Sequence, residues 1–201
     1  FLLFSFLYIY RNEYFEDYRL LFLISILMYV IIFFSWVIIN YQLPVYIIPI
    51  AMTSILFTVL LDTTVALIAS TILILLTSLL IGNDLDFAII QFFTAFIAIL
   101  SVRKLRKRRQ IITTMISLVL CSMFVFFSVM LFKGIDFLDY NYSVVGYLAL
   151  ASFLSPILSF GLVPLFESSF GITTDLSLIE LLDYDQPLLK KLMEDAPGTH
   201  T

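Results

Sequence analysis

Uninterrupted runs without a charged residue constrain this chain more than any other feature. They lie between the charges Arg19 and Asp62, Asp62 and Asp84, Asp86 and Arg103, Arg109 and Lys133, and Asp139 and Glu167. Hydrophobic residues make up 62% of the chain and charged residues 13%, whereas soluble domains carry about 25% charged residues. A water-soluble domain of this size could not bury so much apolar surface. The pattern predicts an all-α fold, a polytopic transmembrane helical bundle.

Seven membrane spans are expected, because a spanning helix needs about 20 largely apolar residues. A turn at residues 40–44 divides the first long run, and Gly82 ends a later helix. Residues 1–166 therefore form a predicted seven-transmembrane module, whose first span is truncated at the start of the chain. The expected spans are about residues 1–10 (partial), 20–39, 45–61, 63–82, 87–102, 111–132 and 144–166.

A basic cluster between the fifth and sixth spans predicts the topology. It comprises Arg103, Lys104, Arg106, Lys107, Arg108 and Arg109. Short loops rich in Lys and Arg favour the cytoplasmic side. Alternation then places Arg11 and Arg19 in the cytoplasm and leaves Lys133 as the only base outside. We therefore expect the chain to start outside and to end in the cytoplasm. The cluster could also bind anionic lipid, but its lack of interleaved aromatic residues disfavours nucleic acid.

Ionisable residues are missing from the predicted spans, where they would mark ion or proton pathways. Gln91 is the only strongly polar side chain well inside a span, and an interhelical hydrogen bond is its expected role. No catalytic, cofactor-binding or metal-binding residue is expected in this segment. A small polytopic transporter, or a membrane protein that binds a lipid or small molecule, stays an alternative. An intramembrane enzyme is disfavoured because the only histidine, His200, lies in the tail.

The last predicted span is the most irregular. It contains a candidate coupling element made of Ser152, Ser155, Pro156, Ser159, Gly161 and Pro164. The serines recur at helical spacing and form a stripe of small residues, which allows helices to approach closely. Proline leaves a backbone carbonyl without its helical hydrogen bond, and neighbouring groups must supply a partner for it. Two interpretations stay open, a tightly packed kinked helix and a movable element that leads directly into the tail.

The composition becomes acidic from residue 167 onwards, and residues 167–201 carry leucines at helical spacing. This pattern predicts a short helical cytoplasmic tail with two amphipathic helices. Such helices need a partner surface for their apolar faces, and the simplest partner is a following domain of the same chain. A tail lying on the bilayer is the alternative, although its acidity disfavours contact with anionic lipid. The chain also opens within a span and without Met, so we expect an extracytoplasmic part before it.

Residues 188–199 resemble the segment that leads into the HD domain of the bacterial seven-transmembrane HD phosphohydrolases. In that family a leucine-rich helix and an acidic residue are followed by an Ala-Pro-Gly-Thr run, before the first metal-binding histidine. Here the run is Ala196, Pro197, Gly198 and Thr199. Residues 176–183 are similar to the connector after the last span of the family. The short turn at Asp62, followed at once by another helix, also matches the family layout.

This resemblance implies a layout in which an extracytoplasmic domain, the seven-helix block and a cytoplasmic HD domain follow one another. Residues 167–201 would be the connector to an HD domain beyond the segment, and His200 is not assigned as a ligand. The best-known members hydrolyse cyclic-di-AMP. In the HD domain two divalent metals, manganese or iron, would activate the attacking water and stabilise the leaving oxygen.

The resemblance thus implies a role as membrane anchor and signal-coupling module in the bacterial cytoplasmic membrane. The segment itself would not be catalytic, and no cofactor is expected in it. The expected partners are the lipid bilayer, the protein's own extracytoplasmic and HD domains, and a second copy in a homodimer. Nucleic acid is not an expected partner.

Overall fold

The computed structural model describes residues 2–103, 110–134, 143–172 and Thr174, and within these ranges it is helical with no strand. The helices are α1 (Leu2–Tyr10), α2 (Asn12–Glu16), α3 (Tyr18–Asn40), α4 (Ile50–Leu60), α5 (Thr63–Ile81), α6 (Leu85–Val102), α7 (Gln110–Lys133) and α8 (Ser143–Phe170). A short 3₁₀ turn, Val45–Ile47, precedes α4. The predicted all-α fold is confirmed.

Five helices, α3, α5, α6, α7 and α8, are long and apolar enough to cross a membrane. Their large apolar side chains face outward as well as inward. Phe124 is 74% exposed and Phe132 is 92% exposed, for example. Contiguous exposed apolar surface is rare on soluble monomers but is what hydrocarbon requires. These features support a polytopic membrane protein.

The structure differs from the single span predicted at residues 45–61. Pro49 has no backbone N–H and adopts a non-helical conformation, and Ile48 before it is extended, as residues before proline tend to be. The helix that follows, α4, has only 11 residues and is therefore about 17 Å long. It is buried among α3, α5, α6 and α8. Irregular backbone at membrane depth is tolerated where protein surrounds it in this way.

The last helix is longer than the predicted span at 144–166, since α8 continues to Phe170 with both prolines inside it. Gly171 ends the helix in the left-handed conformation, with φ +66°, and Ile172 N–H donates to the Glu167 carbonyl over 3.2 Å. This pairing is the Schellman arrangement of helix ends. The 28 residues of α8 extend about 42 Å, beyond a hydrocarbon core about 30 Å thick.

Two ion pairs join neighbouring segments at opposite ends of the bundle. Arg11 pairs with Asp62, and Lys133 pairs with Asp86. Because α5 lies between Asp62 and Asp86 in the chain, the pairs mark its two ends. Burial raises the pKa of the Tyr14 phenol above its usual value, and the nearby Asp62 carboxylate raises this pKa further. The hydroxyl therefore stays neutral beside the first pair at physiological pH.

Candidate functional site

The serines of the coupling element share one buried face of α8. Ser152 is 3% exposed, Ser155 1% and Ser159 0%. Because residues three and four positions apart lie on the same side of a helix, the stripe predicted from their spacing is present as one surface. Small side chains at this face let the neighbouring helices approach the α8 backbone closely.

Two serine hydroxyls connect α8 directly to other helices. Ser159 Oγ lies 3.0 Å from the Met52 carbonyl of α4 and 2.6 Å from the Ser155 carbonyl of its own helix. Its single proton is shared between these acceptors. Ser152 Oγ donates to Ser122 Oγ of α7 over 3.0 Å. One face of α8 is thus hydrogen-bonded to both α4 and α7.

A narrow interior crevice lies beside this face, where α4 begins. Gln91 and Thr94 of α6 line it together with Pro49, Ser152 and Ser155, and it is too narrow to hold a water molecule. Gln91 is 3% exposed and Thr94 donates to the Ile90 carbonyl of its own helix over 2.7 Å. Four buried polar side chains, those of Gln91, Thr94, Ser152 and Ser155, therefore lie together where α4, α6 and α8 meet.

The other members of the coupling element divide between two faces of α8. Pro156 is buried beside the serines, whereas Gly161 and Pro164 are exposed on the outside of the bundle. A Cβ added to Gly161 would meet no atom within 4 Å. The absence of a side chain at Gly161 therefore does not serve a close contact with another helix. The residue affects α8 only through the flexibility of its own backbone.

Several residues singled out in the sequence fall outside the described ranges. These are Lys104, Arg106, Lys107, Arg108 and Arg109 of the basic cluster, and Ala196, Pro197, Gly198 and Thr199 of the segment before the expected HD domain. Arg103 is described, and it lies exposed at the end of α6.

Sequence reasoning missed the partners of the serine face. A backbone carbonyl such as that of Met52 carries no sequence signal, and Ser122 is a single small residue within an apolar span. Within the part of the chain that the structure describes, no group of three or more His, Cys, Asp or Glu side chains could hold a metal ion.

Curated relatives share the sequence of this module. The chain is 27% identical over 162 residues to "Cyclic-di-AMP phosphodiesterase PgpH" of Bacillus subtilis (strain 168), an alignment that covers 77% of the chain and 23% of the relative. It is 46% identical over 56 residues to the protein of the same name in Listeria monocytogenes serotype 1/2a (strain 10403S), covering 28% of the chain and 8% of the relative. The chain thus spans at most about a quarter of the length of these relatives.

No solved structure matches the chain significantly. A family model described as "7TM receptor with intracellular HD hydrolase" matches residues 1–174, which include every helix of the bundle. The resemblance inferred from the tail and the membrane layout is therefore confirmed, and the chain belongs to the family of seven-transmembrane receptors with an intracellular HD hydrolase.

Proposed function

We propose that this chain is the membrane anchor and signal-coupling module of a bacterial cyclic-di-AMP phosphodiesterase. It would link an extracytoplasmic sensor domain to a cytoplasmic, metal-dependent HD domain. Membership of the receptor family and the two phosphodiesterase relatives support the proposal. The whole protein would lie in the cytoplasmic membrane, with the start of this chain outside and its end in the cytoplasm.

The observation that carries the coupling role is the continuity of α8. Its serine face is bonded to α4 and α7 in the middle of the bundle, and the same helix continues without a break to Phe170. A displacement of the bonded face therefore moves the far end of the helix as well. Residues 167–201 begin in the last turn of α8 and continue beyond its end, and we propose that they pass the displacement to the HD domain.

The chemistry belongs to the HD domain in this proposal. Two divalent metals, manganese or iron, would lower the pKa of a bound water so that it attacks the phosphodiester. The chain's own contribution is to hold that domain at the membrane and to set the position of the connector. The lipid bilayer, the two other domains and a second copy of the chain in a homodimer are the proposed partners.

Stiffening α8 at Gly161 tests the coupling. In the full-length protein, Gly161→Ala is expected to change the rate of cyclic-di-AMP hydrolysis on the order of fivefold, which corresponds to the roughly 1 kcal/mol difference in helix propensity between Gly and Ala. No neighbouring atom obstructs the added methyl group, so a change in rate reports backbone stiffness between the two prolines. The measurement is the rate of formation of the linear dinucleotide in membranes.

Gly146→Ala is the matched control. Gly146 also lies exposed in α8 with free space around it, but it precedes both prolines. We expect this variant to hydrolyse cyclic-di-AMP at the wild-type rate. Equal rates for the two variants, whether changed or unchanged, would contradict the proposed role of the segment between the prolines.

A further inference from the structure

An apolar groove of about 870 Å³ lies between the start of α3 and the end of α8. Phe22 of α3 and Phe166 and Phe170 of α8 contribute aromatic rings to it, and the Phe22 and Phe170 ring centroids are 6.1 Å apart. Ile26 and Leu162 extend the groove along the two helices toward the middle of the bundle. Its walls are therefore apolar over at least one helical turn. Such a groove suits the acyl chain of a lipid.

The groove ends at Tyr18 and Arg19, the first residues of α3. The Arg19 guanidinium lies close to the α8 terminus, where a Cβ added to Gly171 would be 3.8 Å from Nη1. Within the described part of the chain no carboxylate forms an ion pair with Arg19. Tyr and Arg at the end of a membrane helix sit at the level of the lipid headgroups. A guanidinium at this level can donate hydrogen bonds to a lipid phosphate.

A second, acidic pocket of about 390 Å³ continues from the same two residues. Tyr18 and Arg19 line both cavities, and Glu13, Glu16 and Asp17 complete the second one. All three carboxylates are on exposed residues. Arg19 therefore stands between an apolar cavity and an acidic one.

We propose that this surface binds a zwitterionic aminophospholipid, phosphatidylethanolamine. An acyl chain would occupy the apolar groove, the phosphate would accept hydrogen bonds from Arg19, and the primary ammonium would donate to the acidic pocket. Arg19 stands between the two cavities as the phosphate stands between the acyl chains and the ammonium of this lipid. Lipid binding at this surface of the membrane module is independent of the proposed signalling role.

Other occupants match the charges less well. An anionic lipid would place its net negative charge beside Glu13, Glu16 and Asp17, where like charges repel. The acidic tail of the chain, residues 175–201, would meet the same repulsion. Lipids with a quaternary ammonium have no N–H to donate to the carboxylates. Phosphatidylethanolamine, which is zwitterionic and has a primary ammonium, avoids each of these mismatches.

Native mass spectrometry of the whole protein in mild detergent tests the proposal, with phosphatidylethanolamine, phosphatidylcholine and phosphatidylglycerol of identical acyl chains. We expect phosphatidylethanolamine to bind about tenfold more tightly than the other two, because a charge-assisted hydrogen bond contributes about that factor. Arg19→Gln should weaken the binding of all three lipids, because it removes the phosphate contact that they share, and Arg19→Lys should retain most of the affinity. Equal retention of the three lipids by the wild-type protein would overturn the proposal.

Arg103→Gln is the matched control for charge. It removes one positive charge from an exposed position at the end of α6, outside the groove. We expect it to leave the affinity for phosphatidylethanolamine unchanged. A loss as large as that caused by Arg19→Gln would show general attraction to the surface instead of a site, and would overturn the proposal.

A double variant, Glu13→Gln with Glu16→Gln, tests the acidic pocket without touching the Asp17 cap of α3. Without these two carboxylates the headgroup end is dominated by Arg19, so phosphatidylglycerol is expected to gain affinity relative to phosphatidylethanolamine. A structural defect alone would weaken all three lipids together. An unchanged headgroup preference in the double variant would contradict the assignment of the ammonium to this pocket.

Discussion

Ser159→Leu is expected to destabilise the membrane module by about 1–3 kcal/mol, the usual cost of overpacking a well-packed core. Ser159 is 0% exposed and its hydroxyl contacts the backbone of α4 at the Met52 carbonyl. A leucine there must push α8 away from the central helix, and it also removes the hydrogen bond between them. The measurement is the free energy of unfolding in mixed micelles titrated with sodium dodecyl sulfate.

Two further variants separate packing from hydrogen bonding. Ser128→Leu places the same side chain on the exposed face of α7, where the serine hydroxyl donates to the Phe124 carbonyl of its own helix. We expect it to change stability by less than about 0.5 kcal/mol. Ser159→Ala removes only the hydroxyl, for an expected loss of about 0.6 kcal/mol. Equal losses for the two leucine variants would refute the close contact between α8 and α4.

Relocating the basic cluster is expected to reverse the orientation of the module in the membrane. In this variant glutamine replaces the six basic residues at 103–109, and the same six are inserted after Lys133. The loops expected in the cytoplasm then keep Arg11 and Arg19, while the opposite side gains six positive charges. Since the excess of Lys and Arg sets orientation, we expect the majority of molecules to insert with the chain end outside.

A reporter fused after Thr201 measures this orientation. Alkaline phosphatase is active only outside the cytoplasm and green fluorescent protein is fluorescent only inside it. A variant that scrambles the order of residues 103–109 keeps their charge in place, so its reporter should read as in the wild type. Unaltered reporter signals in the relocated variant would show that the basic cluster does not set the topology.

Helix α4 differs from its predicted span in ways that hydropathy alone does not indicate. Hydropathy places an apolar segment at residues 45–61, and an apolar segment is present. Pro49 indicates the break in the sequence, because a proline interrupts a helix that would otherwise run through it. The central position of α4 had no such signal. A span buried all round and a span facing lipid are equally apolar.

The coupling element shows a similar limit. Ser152, Ser155 and Ser159 recur at helical spacing, and all three are buried. The spacing could not separate them from Gly161 and Pro164, whose exposure depends on which neighbours surround α8. The groove between Tyr18 and Gly171 could not be predicted from the sequence either, since 153 positions separate the two residues in the chain.

The sequence by itself determined the helical membrane fold and the family. These depend on local hydropathy, on turn residues and on short motifs, each of which is contained in a few neighbouring residues. Only the tertiary structure decided that α4 is the central helix, that α8 is bonded to it through Ser159, and that Arg19 stands between an apolar and an acidic cavity. The physical reason is that lipid is as apolar as a protein core, so hydropathy does not record which face of a membrane helix meets protein.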